Sequence, residues 1–109
     1  MTVPAPARDL AVLLRSRADV ATDAPARYAK QLVSHLGRKA PFTEDADGAW
    51  TITVGEARGR IAVGDDVLTL HVEASDVETL NRLEHALGSH LERFGARAGL
   101  TVAWRRDAD

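Results

Sequence analysis

The chain has 109 residues, 45% of them hydrophobic and 28% charged, with 14 Lys and Arg against 16 Asp and Glu for a formal net charge of −2. That is the composition of one ordinary globular domain, and a domain of this length buries enough surface to need no covalent staple. The lack of cysteine excludes disulfides and thiolate metal ligation, the near-neutral charge excludes a global basic field, and no apolar run approaches the roughly 18 residues of a membrane span.

These absences suit a reducing cytoplasm. Residues 1–12 lack a cationic start followed by an apolar stretch, so they read as a disordered lead and not as a secretory signal. Residues 13–106 form a single domain, with 107–109 a frayed tail.

A first strand is expected from Leu13 to Thr22, with Leu14, Ser16, Ala18 and Val20 facing inward and Arg15, Arg17 and Asp19 outward. Asp23 is the expected N-cap of a first helix, with Pro25 in its first turn. The helix runs to about Gly37, burying Ala29, Leu32, Val33 and Leu36 along one stripe. Gly37, Arg38 and Lys39 then suit a helix end, and Pro41 prevents its continuation.

Four strands follow. Phe42-Thr43-Glu44 is short, and Asp45 to Gly48 is a turn. Trp50, Ile52 and Val54 alternate with threonines, and Gly55-Glu56 suits a two-residue hairpin loop. Ala57, Gly59, Ile61 and Val63 alternate with Arg58, Arg60 and Ala62. After Gly64-Asp65-Asp66, Leu68, Leu70 and Val72 alternate with Thr69, His71 and Glu73. This is a meander with one apolar and one wet face.

Ser75 and Glu78 have the spacing of a capping box, opening a second helix with Val77, Leu80, Leu83, Leu87, Leu91 and Phe94 on its buried stripe. Leu100, Val102 and Trp104 define a last strand. The order is β-α-β-β-β-β-α-β, an α+β two-layer sandwich with a mostly antiparallel sheet and both helices on one face.

Tyr28 to His35 followed by Lys39, then Leu68 to Ala74, His90-Leu91-Glu92-Arg93-Phe94 and Trp104 resemble the bacterial family called domain of unknown function 2218. The resemblance runs from about Leu14 to Arg105 and rests on order and spacing, not on one chemically specific motif. It implies a compact, mostly stand-alone cytoplasmic α+β domain, with iron uptake or siderophore handling as a suspected neighbourhood and no activity to carry over. Relatives often have a cysteine where this chain has Val33 and a second histidine where it has Arg38. Their aromatic, acidic stretch after Phe94 is here Gly95-Ala96-Arg97-Ala98-Gly99. A site built from that cysteine and that histidine is therefore impossible in this chain.

The candidate binding residues are Tyr28, His35, His90, Arg93, His71, Arg58 and Arg60. On helical wheels His85 lies opposite its helix's apolar stripe, whereas His35 and His90 lie at stripe edges, His35 on the same side as Tyr28. A metal site would need folding to bring His35, His90 and a carboxylate together; the plainer reading makes both histidines boundary residues bonded to local backbone. No metal or other cofactor is expected. Ser16, Ser34, Ser75 and Ser89 sit in no nucleophile motif, and the glycines match no phosphate-loop pattern. No catalytic residue is assigned.

The open sheet face should display Arg15, Arg17, Arg58, Arg60, His71 and Arg105 with threonines, Asp19, Glu56 and Glu73. Such a face can hold a phosphate-rich ligand or form a homodimer. It lacks the exposed aromatics on which RNA platforms stack bases, so nucleic acid is disfavoured. Solvated cross-strand charge pairs are the simpler account. The favoured function is a non-catalytic binding or accessory module, with the histidine metal site and the phosphate-binding face as alternatives.

Overall fold

A computed structural model describes residues 13–38 and 40–107. The expected N-terminal lead (residues 1–12), Lys39 and the last two tail residues lie outside the described residues. The elements are β1 (Leu14–Ala21), α1 (Pro25–Leu36), β2 (Phe42–Glu44), β3 (Trp50–Val54), β4 (Ala57–Val63), β5 (Val67–Ala74), α2 (Val77–Phe94), a 3₁₀ turn (Ala96–Ala98) and β6 (Arg105–Arg106). They form one six-stranded sheet in the order β2-β3-β4-β5-β1-β6, with every neighbouring pair antiparallel. The α+β two-layer architecture is the one that the alternation predicts.

Both helices cover one face. Leu32 of α1 and Leu80, Leu87 and Leu91 of α2 are fully buried with Val20, Ile61, Leu68, Leu70 and Val72 of the sheet in a single core. Gly59 sets how closely α2 approaches β4. A Cβ there would sit 3.2 Å from Ile52 Cγ2 and 3.4 Å from Leu87 Cδ1, so the missing side chain makes room for the helix. Gly55 adopts φ 61° in the β3–β4 hairpin, a left-handed conformation that suits glycine.

Several local expectations change. Ala24, not Asp23, occupies the N-cap position of α1 and supplies no side-chain cap; the buried Thr22 hydroxyl accepts the Ala24 N–H at 3.1 Å instead. Pro25 stands at the start of the helix, where its missing N–H costs nothing. At α2 the capping box does not form. The helix begins at Val77, which makes Asp76 the N-cap, and its carboxylate accepts the Thr79 N–H at 3.0 Å and the Thr79 hydroxyl at 2.7 Å. Those two hydrogen bonds, side chain first, hold the Asp76 carboxyl below its ordinary range. Ser75 donates to Glu56 at 3.3 Å.

The apolar stripes also end earlier than the alternation suggests. Val77 is 52% exposed and Val54 47% exposed, because one opens α2 and the other sits at the hairpin end of the sheet. Val63, beside the β4–β5 turn, is exposed as well. The expected last strand shrinks to Arg105–Arg106. Leu100, Val102 and Trp104 do turn inward together, but they cover the side of α2 and add no strand to the sheet. Gly88 admits them: a Cβ at that position would lie 3.0 Å from Trp104 Nε1 and 3.3 Å from Val102 Cγ1. The Val102 N–H donates to Glu92 at 2.9 Å, away from any sheet ladder. Beyond β6, Asp107 is still tied, its N–H donating to the Arg15 carbonyl.

Candidate functional site

The open face is built from the outward residues of β4, β5 and β1, and the register aligns them in rows. One row reads Arg58–Glu73–Arg15, and the next Arg60–His71–Arg17. Period-two alternation places every one of these side chains on the face away from the helices. Glu73 bridges its row, with Arg15 at 3.6 Å and Arg58 at 3.8 Å. Asp19 does the same further along β1. It accepts from Thr69 at 2.8 Å and pairs with Arg17 at 3.1 Å and Arg105 at 3.5 Å. The Thr69 hydrogen bond, more than the neighbouring arginines, holds the Asp19 carboxyl low. Arg60 reaches the β2–β3 turn, to Asp45 at 3.6 Å and Asp47 at 3.4 Å.

A depression of about 300 Å³ opens between these rows, lined by Arg15, Arg58, Arg60, His71 and Glu73 with Ser16 and Val72 beneath. Three guanidinium groups and one carboxylate face it. Burial first, then the positive charges of Arg17 and Arg60, push His71 below its ordinary value of 6.5, while Asp19 and Glu73 pull it back in part. The imidazole is therefore neutral near pH 7. Arg58, Arg60 and His71, three of the sequence candidates, are brought together here.

His35 and His90 also meet. Their ring centroids lie 4.6 Å apart, with the planes inclined by 44°. Phe94 completes the cluster, edge-on to His35 at 5.6 Å. His90 Nδ1 lies 2.7 Å from the Ala86 carbonyl, which accepts its N–H. The pair comes from α1 and α2, each histidine half-buried at the edge of its helix's apolar stripe. The carboxylate that a three-ligand site would need does not join it: no group of three or more His, Cys, Asp or Glu suited to a metal occurs among the described residues. Tyr28 is separate. It is buried in the core, and its hydroxyl accepts from Arg27 at 3.3 Å with the same guanidinium 5.0 Å from its ring centroid. Arg93 is exposed near the end of α2. His85 is exposed, as its place on the wheel implies.

One polar cluster was not anticipated. Glu84 is buried under the β1–β6 edge and takes Arg106 at 2.8 Å and 3.1 Å, while Asn81 accepts from the same guanidinium. Burial pushes the Glu84 carboxyl up, but the Arg106 and Ser16 hydrogen bonds and the Arg106 charge outweigh it and leave the group below its ordinary value. A signal was available. Glu84 stands four residues after Leu80 and three before Leu87, in the middle of the buried stripe, and Ser16 is the polar break in the inward face of β1.

The family model described as "uncharacterized protein conserved in bacteria", domain of unknown function 2218, matches residues 17–105. The chain belongs to this family. No curated protein matches it. Among solved structures, the NMR structure of PA4090 from Pseudomonas aeruginosa is similar at 24% identity and a TM-score of 0.71, over 84% of this chain and 95% of that one. That likeness supports the fold alone. In this member of domain of unknown function 2218, Val33 packs against the core and Arg38 is exposed, so neither position offers a ligand to the two histidines.

Proposed function

We propose that this protein is a non-catalytic binding module that holds an anionic small molecule on the open face of its sheet. The observation that carries this reading is the depression around His71, lined by Arg15, Arg58 and Arg60 with Glu73. Arginine planes match carboxylate and phosphate oxygens with paired N–H donors, and strands hold them in fixed register. A non-catalytic role is supported by the serine hydroxyls that have structural work. Ser16 donates to the Arg105 carbonyl, Ser75 to Glu56 and Ser89 to the His85 carbonyl. Among the described residues no helix is long and apolar enough to cross a membrane. A cytoplasmic place and a link to iron or siderophore handling are carried by family resemblance only, an associational warrant.

Titration with inorganic phosphate at low salt tests the reading. Binding that weakens with added salt and is lost in Arg58→Glu supports it, since that change reverses one of the three cations. Absence of any binding at millimolar phosphate overturns it.

A second reading rests on the His35–His90 pair. A backbone carbonyl on His90 Nδ1 is the arrangement that orients a ligating imidazole, with Nε2 toward the metal. Two imidazoles alone make a weak site, with other positions left to water or ligand. Metal analysis after dialysis decides it. Zinc or iron retained by the native protein and lost in His90→Ala supports the reading, and near-zero metal in both ends it.

A further inference from the structure

The open-face depression has a charge pattern more specific than a general affinity for anions. Among the residues that line it, Arg15, Arg58 and Arg60 outnumber the carboxylate of Glu73 by two charges, with Asp45 and Asp47 meeting Arg60 from outside the lining. Rows on one sheet face repeat every two residues, about 7 Å, and alternate strands are about 10 Å apart. Four arginines, at positions 15, 17, 58 and 60, thus stand at the corners of a small rectangle with His71 and Glu73 on the strand between them. A compact oxyanion seated over that middle strand is reached from both sides. A carboxylate would cancel one charge; a dianion cancels both.

We infer that the depression takes the dianionic phosphoryl group of a phosphate monoester, and that His71 gains a proton as the group binds. This deepens the reading above and rests on it.

The groups facing His71 are known from every packed strand. From β1 they are Arg17, Arg15 and, further along, Asp19; from β4, Arg60 and Arg58; on β5 itself, Thr69 and Glu73. Partial burial and, after it, the neighbouring positive charges keep the ring neutral in the free protein. A bound dianion reverses the sign of the local field, so the imidazolium becomes favoured and adds an N–H donor to the ligand. Linkage makes this reciprocal: if the anion draws a proton to His71, then a proton on His71 tightens the anion. Binding should strengthen as pH falls toward and below the ordinary histidine range. The Arg60 contacts to Asp45 and Asp47, at 3.6 Å and 3.4 Å from the exposed β2–β3 turn, compete with a bound ligand at the rim.

Sulfate is the probe that isolates the protein's proton, because it stays dianionic across the histidine range whereas phosphate itself titrates there. Calorimetric titration of the full chain with sulfate at pH 7.5 and 5.5 should show an affinity gain of about tenfold at the lower pH, within the limit of one proton per site. In His71→Gln, which keeps a polar side chain of similar reach, the gain should disappear while weak binding remains. The His71 ring resonance in the native protein should titrate at higher pH when sulfate is present. Phenyl phosphate should bind about tenfold more tightly than acetate at pH 7.5.

Sulfate binding that is equal at both pH values, or a gain that survives in His71→Gln, overturns the proton link and leaves the anion reading standing. Acetate matching phenyl phosphate overturns the dianion assignment. A short single-stranded oligonucleotide binding more tightly than phenyl phosphate would assign the face to phosphodiesters instead. No binding of any of these anions at low salt removes the parent reading with it.

Discussion

The two faces of this sheet use the same pair of side-chain types to opposite ends. On the covered face Arg106 meets Glu84 one to one, with Asn81 accepting a further hydrogen bond from the guanidinium, and the cluster ties the last strand to α2. On the open face Arg15 and Arg58 share the carboxylate of Glu73 around a depression that Arg60 also lines, Arg60 being met from the rim by Asp45 and Asp47. A balanced pair under a helix is a structural tie, because a charge taken out of water must be matched or it destabilises the fold. An excess in water carries no such requirement, so it persists only as a solvated surface or as a site awaiting a counterion. Charge balance, not residue type, distinguishes the two.

The largest effect belongs to the covered face. Leu87 is fully buried against the sheet, one of its methyl carbons close over Gly59. Leu87→Ala should lower unfolding stability by about 3 kcal/mol, lost transfer energy plus the cavity left behind. Urea denaturation followed by circular dichroism measures it. A loss below about 1 kcal/mol would mean that α2 does not seal the sheet as described.

Glu84→Gln comes next. It keeps the shape of the side chain but removes the charge that Arg106 answers, and should cost about 1–2 kcal/mol at pH 7. The sign with pH follows from the direction of the shift. The Glu84 carboxyl is held below its ordinary value of 4.5 in the folded state, so its contribution is full above that value and is lost as pH falls through the folded value. The gap between native protein and variant should therefore close in acid. A gap that stayed constant down to pH 3 would show that Glu84 acts through packing and not through its charge.

How much of this was readable beforehand follows the same division. The covered face was readable because alternation and helical periodicity report apolar burial directly: Ile52, Ile61, Leu70, Leu32 and Leu91 all lie where their spacing puts them. The short-range polar devices were not. Ser75-Asp76 offers two adjacent capping residues, and which one caps is decided by where the chain leaves β5, a tertiary fact. Leu100, Val102 and Trp104 have a strand's alternation, yet their apolar side chains face α2, where Gly88 makes room for Val102 and Trp104, and periodicity cannot name the surface that a face will meet. On the open side the outward residues were identified, but not their rows. Strand order is what sets Arg60, His71 and Arg17 side by side, since β1 inserts beside β5 from the far end of the chain. The approach of His35 to His90 likewise depends on how α1 lies along α2.

The smallest change in stability should accompany the most telling change in binding. Glu73 pairs with Arg15 and Arg58 at 3.6 Å and 3.8 Å, both with guanidiniums that are mostly in water. Exposed pairs of this kind contribute little, so Glu73→Gln should shift stability by no more than about 0.5 kcal/mol. The same substitution removes the one carboxylate among the lining residues and raises the positive charge of the depression by one. Sulfate affinity at low salt should then rise roughly threefold to tenfold, and the gain should vanish near 1 M salt, where the screening length falls to about 3 Å. Unchanged or weaker sulfate binding would mean that Glu73 holds Arg15 and Arg58 in the binding pose and that the guanidiniums scatter without it. In that case the carboxylate belongs to the site's framework, and the likeness between the two faces would be closer than their charge balance suggests.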